Sequence, residues 1–320
     1  MDKSFRLKSL TISVSVAFCS LAVAGIANAQ QTIAGVKVFP DNNVWNTKID
    51  ARAVDTNSDT YVNSLGRTRH FHPDWGSNPA YGIPYNIVQD GKKPLKFINV
   101  SFDYDDESDV GPYPVNSKLK IEGDNWNAKK NPGDRHVLMI HPATKTLYEM
   151  FYVRKNAKEA GSGAIFHLDS NALRPDGWTS ADAAGLPIFP ALINYDEAAS
   201  GVIKHAFRMT CTRTKGYVWP ARHLAGAQTD GWPPLGKRFR LKSSFNISSF
   251  SPINRAILTA MKEYGLFICD HGSNWFVQGT SDPRWDDDDL NALKALTGND
   301  FEVINEAPMM VNPDSGQANP

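Results

Sequence analysis

The stretch Gly133–Phe166, GDRHVLMIHPATKTLYEMFYVRKNAKEAGSGAIF, decides the fold class, because a β-hairpin is almost written out in it. Val137 to Ile140 is a β-favouring apolar run, a polar His-Pro-Ala-Thr-Lys turn follows, and Thr146 to Val153 resumes with Tyr, Phe and Val. A turn centred near Ala143-Thr144 pairs Ile140 with Leu147, Leu138 with Glu149, and His136 with Phe151. Side chains alternate faces along a strand, so these six residues share one face. Val137, Met139, Tyr148, Met150 and Tyr152 share the other. Both faces are mostly apolar, so both are expected to be covered. Glu149 and His136 become diagonal neighbours at roughly 7–8 Å or somewhat less. A half-buried carboxyl near an imidazole has a movable pKa, as proton transfer requires. The same pair also reads as a buried ion pair. A one-residue slip of register would move His136 relative to Glu149.

Outward from the hairpin, strand signals dominate. Further candidates are Leu95–Phe102, Ala164–Leu168, Val202–Met209, Tyr217–Trp219, Arg238–Leu241, Leu266–Asp270 and Trp275–Gln278, separated by Gly, Pro, Asn and Asp clusters. Two helices stand out. Ser251–Tyr264 has Ser251 as N-cap, Pro252 at N1, a stripe of Ile253, Ile257, Leu258 and Met261, and Gly265 as its stop. Asp286–Leu296 carries Asp287 to Asp289 at its N-terminus, where negative charge is favoured. Ser180–Ala184 reads as one short turn. Many short strands with two peripheral helices predict a mainly β chain, an antiparallel β-sandwich or jelly roll.

Residues 1–29 read as an export signal. Lys3, Arg6 and Lys8 form a basic start, an apolar stretch runs from Leu10 to Ile26, and Ala27-Asn28-Ala29 is an A-x-A cleavage box. The expected mature chain begins near Gln30, in the periplasm or medium. Of 34 basic and 34 acidic residues, three basic and one acidic fall in the signal, which leaves a formal charge of −2. That balance gives no reason to expect a nucleic-acid or anionic-membrane partner, and a monomer is expected. Residues 30–307 read as a single β-rich domain and 308–320 as a disordered tail. Cys211 and Cys269 remain after the signal, each in an apolar run. They are expected to lie close, either bonded or as two small buried hydrophobes.

The polar constellations come next. Phe102–Asp109 holds five carboxylates, Asp103, Asp105, Asp106, Glu107 and Asp109. Such a run could wrap Ca²⁺, although it lacks the EF-hand spacing, and a solvated acidic loop is the plainer reading. Gly161-Ser162-Gly163-Ala164 is not a G-x-S-x-G nucleophile elbow. Asn171–Pro190 is long for a plain loop and offers Arg174, Trp178 and Asp182, either as site groups or as cover for a sheet. Lys204–Arg208 alternates like a strand, with His205 and Arg208 on opposite faces. Trp219-Pro-Ala-Arg-His223 sets an aromatic plate, a guanidinium and an imidazole within five residues, a set that suits sugar or carboxylate binding. Asp270–Trp275 reads as a tight turn between two strands whose polar tip either reaches a cleft or closes a hairpin.

The segments GDRHVLMI (133–140), LYEMF (147–151), AGSGAIF (160–166), ALRPDGWTSADAAGLPIFP (172–190), HAFR (205–208), YVWPARH (217–223) and YGLFICDHGSNW (264–275) resemble a group of secreted bacterial proteins of uncharacterised function. They span most of residues 40–305. The resemblance implies a common fold and a common site, and brings no activity with it. The residues themselves point to a secreted carbohydrate-active enzyme that cleaves a polysaccharide by carboxylate and histidine acid–base chemistry. Glu149, Asp182, His205 and His223 are the expected catalytic groups, with Asp134 as a substitute carboxylate. Arg222, Trp178, Trp219, His136 and Arg208 are the expected substrate contacts. A glycoside hydrolase needs two carboxyl groups flanking the bond. A lyase would use a histidine or tyrosine base with an arginine or a cation neutralising the uronate, and His205, His223 and Arg222 would then lead. The alternatives are a non-catalytic glycan- or surface-binding protein, and an ester or amide hydrolase, which the missing nucleophile motif disfavours. No resident cofactor is expected.

Overall fold

The hairpin forms with the expected register. Val137–His141 pairs antiparallel with Thr146–Phe151, with Leu138 opposite Glu149 and Ile140 opposite Leu147. The connection is a single 3-10 turn, Pro142–Thr144, with Lys145 left-handed at φ +51° and the His141 ring accepting the Thr144 N–H at 3.3 Å. In this computed structural model, residues 1, 32–33, 35–91, 94–115, 118–124, 126 and 133–320 are described. The expected export signal and its cleavage box lie outside them, apart from Met1. Among the described residues no helix is long and apolar enough to cross a membrane.

Two sheets make the frame. The small one runs Ser162–His167, Thr146–Phe151, Val137–His141, Tyr85–Ile87. Its two faces are both covered, as their apolar alternation demands. Leu138, Ile140 and Leu147 join the main core, and Val137, Met139 and Met150 join a second cluster with Val88, Tyr113 and Ile121. The large sheet runs Phe301–Val303, Arg238–Leu241, Leu266–His271, Phe207–Cys211, Phe276–Gln278, His72–Asp74. The chain is thus β-rich, but the sheets are mixed rather than purely antiparallel. Tyr85–Ile87 runs parallel to Val137–His141, and Phe207–Cys211 parallel to Leu266–His271. Phe207–Cys211 lies between Leu266–His271 and Phe276–Gln278, so Asp270–Trp275 does not close a hairpin.

The helix Pro252–Glu263 forms as its caps predict, with the Ser251 side chain accepting the Asn254 N–H and Ile257, Leu258 and Met261 buried. Asp286 caps Asp287–Asn291, and a 3-10 turn, Ala292–Ala295, continues it. The expectation of two helices was too low. Ser58–Leu65 and Tyr195–Ser200 are also helical. The expected disordered tail is a second correction. Residues 308–320 are held by backbone bonds, Gly316 N–H to Asn171 O at 2.6 Å and Ala318 N–H to Asn42 O at 2.8 Å among them. Composition misses this because the partners are distant backbone groups. Cys211 and Cys269 sit on neighbouring strands, buried and unbonded. Burial pushes the Cys211 thiol up to about 12 and the Cys269 thiol well above its ordinary value, so both are inert small hydrophobes.

Candidate functional site

A β-bulge decides which side chains meet. Along the central parallel pair, Met209 lies beside Ile268, but Thr210 lies beside Asp270, so Cys269 is an extra residue. Its carbonyl leaves the ladder and accepts the Ala184 N–H of the 171–190 loop at 2.9 Å. Simple alternation would put Asp270 on the face of Leu266 and Ile268. The extra residue re-aims it to the face of Thr210 and Arg208, the known effect of a bulge.

Arg208 is the hub behind this face. It donates to both oxygens of Asp182, at 3.1 and 2.8 Å, and to Gln278 Oε1 at 3.0 Å. Asp270 Oδ2 stands at 3.5 Å from the same guanidinium. Asp182 reaches Arg208 because the 171–190 loop turns tightly there. Gly185, at φ +69°, would put a Cβ within 2.5 Å of the Trp178 carbonyl. Asp182 is fully enclosed, whereas the Asp270 side chain keeps 21% of its surface exposed. Burial, with the Asp182 charge next to it, pushes the Asp270 carboxyl well above the usual carboxylate range, against the pull of Arg208.

Asp270 opens onto a cavity of about 240 Å³ whose lining also includes Asp182. Glu107, His223, Tyr104 and Phe151 line it as well. His223 Nδ1 lies 2.9 Å from the Ala183 carbonyl, which can only accept, so Nδ1 carries a proton. Its Nε2 faces Glu107 Oε2 at 3.3 Å. That oxygen also accepts the Thr179 N–H at 3.0 Å. The cavity therefore holds a high-pKa carboxyl together with a carboxyl–imidazole pair. A strongly perturbed carboxyl in a cleft is a feature that acid–base sites share with buried ion-pair networks.

Of the expected site residues, Asp182 and His223 line this cavity, and Arg208 stands directly behind Asp182. The others are occupied elsewhere. Glu149 is fully buried and accepts the Ile188 and Phe189 N–H groups at 2.8–3.0 Å, so it fixes the 171–190 loop to the hairpin. Burial pushes its carboxyl up to about 7, although both N–H groups favour the charged form. His136 pairs with Glu122 and not with Glu149: Nδ1 is 2.7 Å from Glu122 Oε2 and Nε2 is 2.9 Å from Ala181 O. Burial opposes its charge, but Glu122 raises it to about 9. His205 is a satisfied core histidine between Ala206 O and Glu197, edge-on to Phe207. Arg222 binds Arg174 O, Pro313 O and Asp314, and the Trp219 indole donates to Ser315 O. Trp178 takes the Arg174 guanidinium on its ring at 5.5 Å. Asp134 uses its carbonyl to accept the Tyr152 N–H. Of the carboxylates of 103–109, Asp103 pairs with Arg154, Asp109 with Arg174 and Glu107 with His223.

Sequence reasoning missed Asp270 and Glu107 as site groups. Glu107 lay hidden in an acidic run and Asp270 in an apparent hairpin tip. What fold and cavity define is a β-rich protein with a cleft lined by ionisable side chains. No protein-family model, curated protein or solved structure matches the chain.

Proposed function

We propose that this protein is a glycoside hydrolase acting on neutral polysaccharide outside the cytoplasm. The bulge at Cys269 carries the reading, because it turns Asp270 into the cavity that Glu107 and His223 also line. Asp270, held as a neutral acid, would protonate the leaving glycosidic oxygen. Glu107, kept in place by Thr179 and His223, would act from the opposite side on the anomeric carbon or on an attacking water. Asp182 and Arg208 orient and tune Asp270 without touching substrate. A cavity near 240 Å³ is small against the 300–1,000 Å³ usual for drug-sized ligands, so it would take one unit of a polymer. Tyr104, 53% exposed at the mouth, offers a ring face to the neighbouring unit. Hydrolysis is favoured over uronate elimination because Arg208, Arg174 and Arg222 are each committed to protein carboxylates. The scaffold would be a β-sandwich, a reading supported by the core that Leu138 and Ile140 share with Phe207 and Met209. A crystal structure with the sheets not face to face would rule that out.

The test is reducing-end release from a panel of neutral and uronate-bearing polysaccharides. Wild-type protein is expected to cleave a neutral member. Asp270→Asn and Glu107→Gln are each expected to lose ~10²-fold or more, with little change in melting temperature. A fully active Asp270→Asn protein would end the assignment. Binding of a neutral glycan without any cleavage would leave the non-catalytic glycan-binding reading, with Tyr104 as its platform. Export is checked separately. Mass spectrometry of protein from the native host is expected to find a mature N-terminus near Gln30, and an intact Met1 on soluble cytoplasmic protein would refute it.

A further inference from the structure

The Glu107–His223 dyad sits on two segments that no regular sheet pairing holds. Glu107 belongs to a single 3-10 turn, Asp105–Glu107. His223 follows Arg222 in an irregular stretch. Two arginines, neither of which lines the cavity, span the gap between them. Arg174 donates to the Glu107 carbonyl at 2.9 Å, to the Thr179 carbonyl at 2.6 Å and to Asp109. It thus grips Glu107 and also Thr179, whose N–H holds the Glu107 carboxyl. Arg222 donates to the Arg174 carbonyl at 2.7 Å, and its backbone is fixed by Ala184 O and the Gly177 N–H, at 2.8 and 2.7 Å. Its remaining nitrogens reach outward to Pro313 O at 2.6 Å and Asp314 Oδ1 at 2.7 Å. Arg222 is 5% exposed and Arg174 is likewise buried, so each needs all of these acceptors.

We propose that residues 313–320 form a strap that positions the Glu107–His223 dyad through Arg222 and Arg174. The inference rests on the acid–base reading of that cavity. The strap is fastened on both sides of the arginine. Leu173 N–H donates to Asp314 O, Gly316 N–H to Asn171 O, and the Trp219 indole to Ser315 O. Residues 313–316 therefore tie the start of the 171–190 loop to the 217–223 segment. Releasing the strap frees one end of Arg222 and loosens the carbonyl of Arg174. The movement is passed to Glu107 and His223, while the two sheets stay intact. A catalytic group displaced by about 1 Å loses on the order of 10²-fold in rate, so the effect should fall on kcat rather than KM. Arg222 and Arg174 are positioning residues in this account.

The test compares the full chain with a chain lacking 313–320, and with Asp314→Ala and Arg222→Lys. Each protein carries ¹⁵N-labelled histidine. The full chain is expected to show slowly exchanging ring N–H signals for His223 and for the buried His136, which Glu122 and Ala181 hold instead. Deletion and both point variants should broaden the His223 signal and leave that of His136 sharp. They should lower kcat by about ten- to hundred-fold at similar KM. The synthetic peptide Pro-Asp-Ser-Gly-Gln-Ala-Asn-Pro, added to the deleted chain, should restore both. If the deletion unfolds the chain, the His136 signal is lost too, and the two point variants then decide. An unchanged His223 signal in the folded variants overturns the strap whether or not any glycan is cleaved. Absence of cleavage by a wild-type chain with an intact His223 signal overturns the hydrolase reading instead.

Discussion

Arg208→Met is expected to destabilise the protein by about 3–5 kcal/mol, the usual penalty for breaking one side of a buried ion pair. The Arg208 side chain is 2% exposed and Asp182 is fully enclosed, with the two joined by two hydrogen bonds. Methionine fills most of the volume but leaves Asp182 charged with no counter-ion. It also leaves Asp270 beside that charge and the Gln278 carbonyl without its donor. At about 2–4 °C per kcal/mol for a chain of this size, the melting temperature should fall by roughly 10 °C. Arg208→Met combined with Asp182→Leu removes both charges and should recover most of the loss, giving a coupling well outside simple additivity. Arg208→Met within about 1 kcal/mol of the parent would show that the pair contributes little, and with it the explanation of why Asp270 is tuned.

What the sequence made legible, and what it hid, follows from the range of the forces involved. The hairpin was readable because a period-two pattern and a short turn set its register locally, and Leu138 does face Glu149. The helix Pro252–Glu263 was readable because its cap, its first proline and its terminating glycine are neighbours in sequence. Asp270 was not readable. In LFICDH, alternation assigns it to the Leu266 and Ile268 face, and only the extra residue at Cys269 reverses that. The bulge is secured by a loop more than 80 residues earlier in the chain, through the Ala184 N–H. Glu122 as the partner of His136 was hidden for the same reason, since it lies in an irregular stretch with no strand period. Arg222 and Trp219 were read as substrate contacts. The sequence could not reveal that their partner is residues 313–315 rather than a sugar.

The protein is expected to lose stability as pH rises from 6.5 to about 9. His136 sets the sign. Its two ring nitrogens face a carboxylate and a carbonyl, both acceptors, so both nitrogens carry protons in the folded state. Its pKa rises from 6.5 to about 9 on folding, so the native state holds the extra proton between those values. The contribution is fully present below pH 6.5 and is lost as pH passes through about 9. Its size is about 3 kcal/mol, or roughly 6–12 °C in melting temperature. Glu149 acts with the same sign at lower pH. Its pKa rises from 4.5 to about 7, so its contribution is complete below 4.5 and gone above 7. There it is opposed by His72 and His271, whose pKa values burial lowers, and which therefore favour the fold as pH rises towards 6.5. Above pH 6.5 those histidines no longer oppose it; burial lowers the Arg238 guanidinium to about 9, so it opposes the decline from there upward, and pH 6.5 to 9 is the window to measure. Thermal unfolding at fixed ionic strength should show the decline in the parent and a much flatter limb in Glu122→Gln, where the counter-charge is gone. Glu149→Gln should keep the upper limb and lose the part between 4.5 and 7. A melting temperature that stays level from pH 6.5 to 9 in the parent, or an unchanged limb in Glu122→Gln, would rule out a buried imidazolium at His136.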